Sequence, residues 1–285
     1  MKKLLIGFSC LIFLSACMNH QKKEETDNSL QEKIDSLAFI KDSIEGAKFI
    51  EEPLAPEAAD ENFIDFLYNF VLDKRLQRSR IVFPLPYYRD SVKTSVQKEE
   101  WSYDPLLSNL DSYSLLFDKE EDFELENDTS ATSVKLEWIY FKQHRLKRYY
   151  FERIKGKWKL EAIDEAQIHE EKPAHEDFYV FYDKFVSDSI FQAERIMHPL
   201  KFVTPDPEDE FQILETTLEK GQWFAFRPLL PSDYLINVNY GQRLDPHSRR
   251  RIIELKGWGN GFINTLYFRY HQGMWKLVQF DDLSD

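Results

Sequence analysis

The residues best suited to chemistry in this chain occur twice. Asp73, Gln77 and Arg80 lie in one stretch of helical periodicity, and Asp188, Gln192 and Arg195 repeat the same types at the same spacing. On a continuous helix turning about 100° per residue, each trio projects to the side of Phe66 or its counterpart Phe181, at or beside the apolar stripe. Polar groups that meet a core need partners. Carboxylate, amide and guanidinium either satisfy one another and pin the following strand, or line the mouth of a pocket and hold an anionic or hydroxyl-bearing ligand. Asp73 or Asp188 would act as an acid–base group where burial raised its pKa, although Arg80 or Arg195 nearby pulls the other way.

Other chemistry is harder to assemble. The two cysteines are Cys10 and Cys17, both near the amino terminus, so thiol nucleophiles, cysteine-ligated metals and disulfides are excluded from everything that follows. The nine glycines form no phosphate-binding loop. No cofactor or metal motif occurs, and His169 and His175 sit among acidic residues without a frame for a metal. A formal charge of −13 argues against nucleic acid as a partner. Two features differ between the repeats. The first carries a basic run from Lys142 to Lys159. The second carries Arg249-Arg250-Arg251 and then Gly257-Trp258-Gly259-Asn260-Gly261, where Asn260-Gly261 suits a tight hairpin. Trp258 there offers a contact for a sugar ring or partner protein, or folds back on the sheet.

The elements that position the trios are themselves duplicated. Glu61 to Leu85 aligns without gaps on Glu176 to Leu200, with 11 of 25 positions identical. A second block, Tyr150-Phe151, Gly156, Trp158-Lys159-Leu160 and Asp164, returns as Tyr267-Phe268, Gly273, Trp275-Lys276-Leu277 and Asp281. Phe63, Phe66, Leu67, Phe70 and Val71 recur at helical spacing, so each copy opens with an amphipathic helix that must end before Pro84 or Pro199. Val134, Leu136, Trp138 and Tyr140 then point one way while Lys135 and Glu137 point the other, and Lys155-Gly156 marks a hairpin. Each copy thus reads as α+β, helices followed by a curved antiparallel sheet.

Helices first, a curved sheet after and a closing Tyr-Phe-x4-Gly-x-Trp-Lys-Leu hairpin resemble the cone-shaped nuclear-transport-factor-2-like, or cystatin-like, fold. The duplicated helix motif resembles a bacterial family of uncharacterised exported proteins with that fold in tandem. The resemblance implies two cone-shaped modules and assigns no functional residue. Enzymes on such cones use a carboxylate inside, which makes an isomerase, dehydratase or hydrolase the alternative to non-catalytic binding.

At the other end, Met1-Lys2-Lys3, an apolar run to Leu14, and Leu14-Ser15-Ala16-Cys17 resemble a lipoprotein signal with Cys17 as the lipidated residue. Met18, rather than Asp, follows Cys17, which favours the outer membrane. The expected organisation is a signal at 1–16, lipidated Cys17 and polar tether over 17–60, a first repeat at 61–166, a linker at 167–175 and a second repeat at 176–285. The expected partners are the membrane, through lipid on Cys17, and an envelope protein or glycan.

Overall fold

The computed structural model describes residues 60–108, 110–168 and 176–285. The signal segment, Cys17, the tether up to residue 59 and the junction 169–175 lie outside the described residues. Each repeat begins with a helix, α1 Phe63–Leu72 and α3 Phe178–Ser187, capped by Asn62 and Asp177, whose side chains accept the first free backbone N–H groups. The helical stretch is not continuous, which corrects the geometry expected for the trios. Asp73 and Asp188 leave helical geometry (φ −108°, ψ 109° and φ −123°, ψ 108°) and become the N-caps of short second helices, α2 Lys74–Ser79 and α4 Ser189–Glu194. A short side chain that accepts two backbone N–H groups gives the chain an alternative to the next helical bond, so the helix restarts in a new direction.

The strands are β1 Leu85–Arg89, β2 Val92–Val96, β3 Ser112–Phe117, β4 Ser133–Tyr140, β5 Arg145–Ile154 and β6 Lys157–Gln167, then β7 Ile196–Asp206, β8 Asp209–Leu218, β9 Leu235–Asn239, β10 Arg250–Gly257, β11 Ile263–His271 and β12 Met274–Asp282. Between β8 and β9 lies a one-turn helix, α5 Trp223–Phe226. β5 and β6 are joined by Lys155-Gly156, both at positive φ, and Gln272-Gly273 do the same between β11 and β12.

Among the described residues all twelve strands form one sheet, in the order β2-β1-β6-β5-β4-β9-β3-β10-β11-β12-β7-β8. The expectation of two self-contained modules is corrected at the centre of that order. The first repeat contributes the array β2-β1-β6-β5-β4 and the second contributes β10-β11-β12-β7-β8, but the third strand of each has crossed over. β9 pairs with β4 of the first repeat, and β3 pairs with β10 of the second. Where the exchanged strands meet they run parallel and share one register pair, Ser114 with Asn237.

Side-chain alternation makes these central strands a wall between two cores. Tyr113, Leu115 and Phe117 of β3 enter the core of α1, whereas Leu116 enters that of α3. Ile236 and Val238 of β9 join the first core and Leu235 the second. On β10, Ile252 faces one core and Ile253 and Leu255 the other. Strands buried on both faces read as continuous apolar runs, as in Leu115-Leu116-Phe117. Rings close each core: Phe63, Phe66 and Phe70 surround Phe151, and Phe178, Phe181 and Phe185 surround Phe268 in the same edge-on manner.

Exchange of this kind binds the halves together without a covalent link. A protease site placed in the 169–175 junction and cleaved should leave fragments that co-elute on size exclusion in native buffer and separate only in denaturant. Fragments that part in native buffer would show that each repeat closes its own sheet.

Candidate functional site

The six residues of the trios do not converge on one another. Asp73 Oδ1 accepts from the N–H groups of Arg75 (2.7 Å) and Leu76 (3.1 Å), and Asp188 Oδ1 from those of Ile190 (2.9 Å) and Phe191 (3.1 Å). Both aspartates are exposed helix caps, and neither faces an apolar cavity. Gln77 is fully buried and spans three elements. Its Nε2 donates to the Asp104 carbonyl (2.7 Å) and at 3.4 Å to the carbonyl of Phe70, while its Oε1 accepts from Asp104 N–H (3.0 Å) and Trp101 Nε1 (3.3 Å). Gln192 repeats the device, donating to the Phe185 carbonyl (2.7 Å) and accepting from Trp223 Nε1 (3.0 Å) and from Arg227. Trp101 and Trp223 went unnoticed in the sequence because they lie in the unaligned middle of each repeat. A tryptophan following the second strand in both copies was the available signal.

The arginines lock the two duplicated blocks together. Arg80 makes a paired contact with Asp60, 2.9 Å on each oxygen, and donates to the Trp158 carbonyl at 3.3 Å. Arg195 makes the equivalent contact with Glu176 (2.8 and 3.0 Å) and reaches the Trp275 carbonyl at 3.3 Å. The carboxylates in turn accept from the N–H of Trp158 and Trp275. Glu61, identical to Glu176 in the alignment, is exposed; its structural counterpart is Asp60, one residue earlier.

Arg249, Arg250, Arg251 and Trp258 do not form a common surface. Arg249 lies over the Tyr270 ring (5.7 Å), Arg250 pairs with Glu120 (3.5 Å), and the buried Arg251 donates to the carbonyls of Arg250 and Asp245. Trp258 folds back against Tyr68 and Tyr113, at ring distances of 5.5 and 6.0 Å. The turn it occupies is wider than a two-residue hairpin. Gly259 takes the positive φ (74°), and Asn260 folds over Gly257 to accept from Phe262 N–H (3.0 Å). In the basic run of the first repeat, Lys142, Arg145 and Lys147 pair with Asp233, Asp90 and Glu165.

The repeats differ in a half-buried charged row across the sheet. Arg148 of β5 bridges Glu137 of β4 (3.1 Å) and Asp164 of β6 (3.0 Å), and Glu137 also accepts from Asn237 Nδ2 of the exchanged β9 (2.8 Å). The second repeat has Glu254, Thr265 and Asp281 in the same register. Thr265 cannot bridge two carboxylates. Burial accordingly pushes the pKa of Glu254 up, opposed by Lys256 and assisted by Glu126. Burial also raises that of Asp281, opposed by Gln279, Tyr267 and Lys201 and assisted by Glu120.

A groove opens where the exchanged strands begin. One concavity of about 280 Å³ lies between Asp111–Ser114 at the start of β3 and Leu229–Tyr234 leading into β9. A second, of about 430 Å³, shares Asp111, Ser112 and Leu229 and continues to Asn260, Phe262 and Asp285. Both repeats build it. Its floor is the seam, where Ser114 Oγ donates to the Ile236 carbonyl and Leu116 N–H donates to Asn237 Oδ1 at 2.9 Å. Among the described residues, no cluster of three or more His, Cys, Asp or Glu could hold a metal, and no helix is long and apolar enough to cross a membrane.

Comparison with known proteins places this architecture. The family described as Domain of unknown function (DUF4348) matches residues 41–282. A crystal structure of an NTF2-like protein from Bacteroides fragilis is 52% identical, with a TM-score of 0.78, and the match covers 81% of this chain and 100% of that one. No curated protein matches.

Two substitutions probe the polar framework. The side chains of Arg80 and Asp60 are 5% and 6% exposed, against 16% and 27% for Arg195 and Glu176. Arg80→Ala should therefore cost about 3–5 kcal/mol in denaturant unfolding, by stranding a buried carboxylate. Arg195→Ala should cost about half as much, since Glu176 keeps water; equal losses would contradict this account. The second probe is Arg148→Thr, which copies the second repeat into the first. It should cost about 1–2 kcal/mol in the same assay, because the half-buried Arg148 bridges Glu137 and Asp164. In the native chain the sign for Glu254 and Asp281 is fixed by their raised folded pKa values. The folded state binds more protons than the unfolded one, so their contribution falls as pH climbs from the ordinary carboxylate range through the raised values, then levels off. An Arg148→Thr variant as stable as wild type would count against the bridge.

Proposed function

The chain belongs to the DUF4348 family, and from that premise we propose that it is a lipid-anchored envelope protein that binds a ligand or partner without catalysis, using the groove at its central seam. The carrying observation is that both repeats build this groove while aromatic rings fill their cores. Binding sites favour concave surfaces that combine apolar walls with a few convergent polar groups. Here Leu229, Leu230 and Phe262 supply the first, and Ser112, Asp111 and Asn260 the second. The catalytic alternative required Asp73 or Asp188 inside a cone. As exposed helix caps, these residues give it no support.

The anchor rests on Leu14-Ser15-Ala16-Cys17. Three acyl chains at about 0.8 kcal/mol per buried methylene would hold the protein to a bilayer essentially permanently, presenting the groove at the end of the tether. The outer membrane is the proposed site, and an envelope protein or glycan the proposed class of partner. On fractionation, wild-type protein should pellet with membranes and Cys17→Ala should be soluble. Envelope peptides or glycans should raise the melting temperature of the folded chain, and filling the groove with Ser112→Trp should abolish that rise. Soluble wild type with an unmodified Cys17 would remove the anchor. A thermal shift that survives Ser112→Trp would remove the groove.

A further inference from the structure

The chemistry of the groove narrows what fits it. β3 and β9 are each fully paired on their outer sides, β3 with β10 from Ser112 to Phe117 and β9 with β4 from Leu235 to Asn239. Toward each other they pair once, at Ser114 and Asn237, and on the side where both strands begin they diverge around the groove. The seam is therefore split. Two strand edges face one another across a cavity, the situation that folded proteins otherwise cover or pair.

The direction of the free groups follows from strand geometry. Leu116 N–H points across the seam to Asn237 Oδ1. Backbone N–H groups alternate sides along a strand, so those of Ser114 and Ser112 point the same way, and Ser112 lies beyond the last register pair. An extended chain entering here meets the main-chain groups of Ser112 on one wall and, on the other, the start of β9 beside the Ile236 carbonyl that already accepts from Ser114 Oγ. Side-chain charge supplies the second constraint. Asp111, Asp233 and Asp285 border the two concavities, no Lys or Arg is among the described residues that line them, and Asp233 is paired with Lys142. A second copy of this chain, with its formal charge of −13, would bring repulsion to such a rim.

We infer that the groove takes an extended peptide segment bearing lysine or arginine, held by main-chain hydrogen bonds to the open edges of β3 and β9 and by Asp111 and Asp285 at its rim. This rests on the groove being the binding site. The mode is strand addition, in which backbone pairing gives affinity and alternate side chains give selectivity.

The test uses the folded full-length chain and two fluorescein-labelled octapeptides, one alternating lysine with threonine and one alternating glutamate with threonine. Anisotropy should show saturable binding of the lysine peptide alone, weakening as salt is raised. Asp111→Asn with Asp285→Asn should bind it about tenfold more weakly, the worth of two exposed ion pairs. A control with Glu208→Gln and Glu219→Gln, both exposed and flanking β8, the edge strand five places across the sheet from β3, should bind as wild type. Equal binding of both peptides, or full affinity in the Asp111/Asp285 variant, would overturn the inference. Maltoheptaose and chitotetraose distinguish the two levels of failure. Binding of an oligosaccharide without the lysine peptide leaves the groove standing and ends this inference, whereas no binding of any probe counts against the groove as well.

Discussion

Everything in this structure depends on the exchange of β3 and β9. Tyr113, Leu115 and Phe117 complete the core beneath α1, yet the backbone that carries them is hydrogen-bonded to the second repeat. Leu235 completes the core beneath α3 from a strand bonded to the first. Neither core closes without the other repeat, so the cost of ordering each half is offset by burial that both supply. A parallel pair at the crossing gives up much of the ladder. Ser114 and Asn237 replace it with side-chain hydrogen bonds, which is why two polar residues sit 2% exposed in the middle of an apolar wall.

The residues that the repeats retain are those that hold each helical layer to its sheet. Arg80 and Arg195 join the carboxylate before the first helix to the tryptophan backbone of the final hairpin. The same arginines offer their carbonyls to Leu160 and Leu277 of those hairpins. Gln77 and Gln192 satisfy a carbonyl at the end of the first helix and position a tryptophan over the core. Every one of these groups would be costly to bury alone, and each has its partner supplied by a distant part of the same repeat. Retained polar identity in this chain therefore reflects the closing of a fold.

Legibility in the sequence followed the range of the interactions. Amphipathic helices, the alternation of β4 and the Lys155-Gly156 hairpin are local patterns and could be read directly. Duplication was visible because the locking residues are spaced identically in both copies. The break at Asp73 was hidden, since an aspartate inside a helical period looks the same whether it decorates a face or caps a new helix. Both readings of the trio, mutual pairing and a pocket mouth, rested on that one assumption, whereas Arg80 pairs with Asp60. Strand exchange left no local trace at all. Alternation assigns faces within a strand but not neighbours across a sheet, and the apolar runs that signal burial on both sides are equally compatible with two stacked modules. The concavity walled by Asp111–Ser114 and Leu229–Tyr234 lies between the two aligned blocks, where alignment stops. It is the part of the molecule that sequence symmetry could not reach.

Divergence between the copies is concentrated away from the locks, and its physical sense differs from place to place. Where the first repeat has Arg148 the second has Thr265 in the same register, so Glu254 and Asp281 stand without a bridge and bear the cost of burial with weaker compensation from Lys256 and Gln279. Such a row gains nothing in stability from its charges. Exchange also makes the cost shared: Glu126, from the first repeat, binds Lys256 and raises the pKa of Glu254 in the second. Helical locks repeated almost unchanged, a charge row altered in one copy and a groove whose two walls, at the starts of β3 and β9, come one from each repeat describe a duplicated scaffold that placed its concavity where the copies meet.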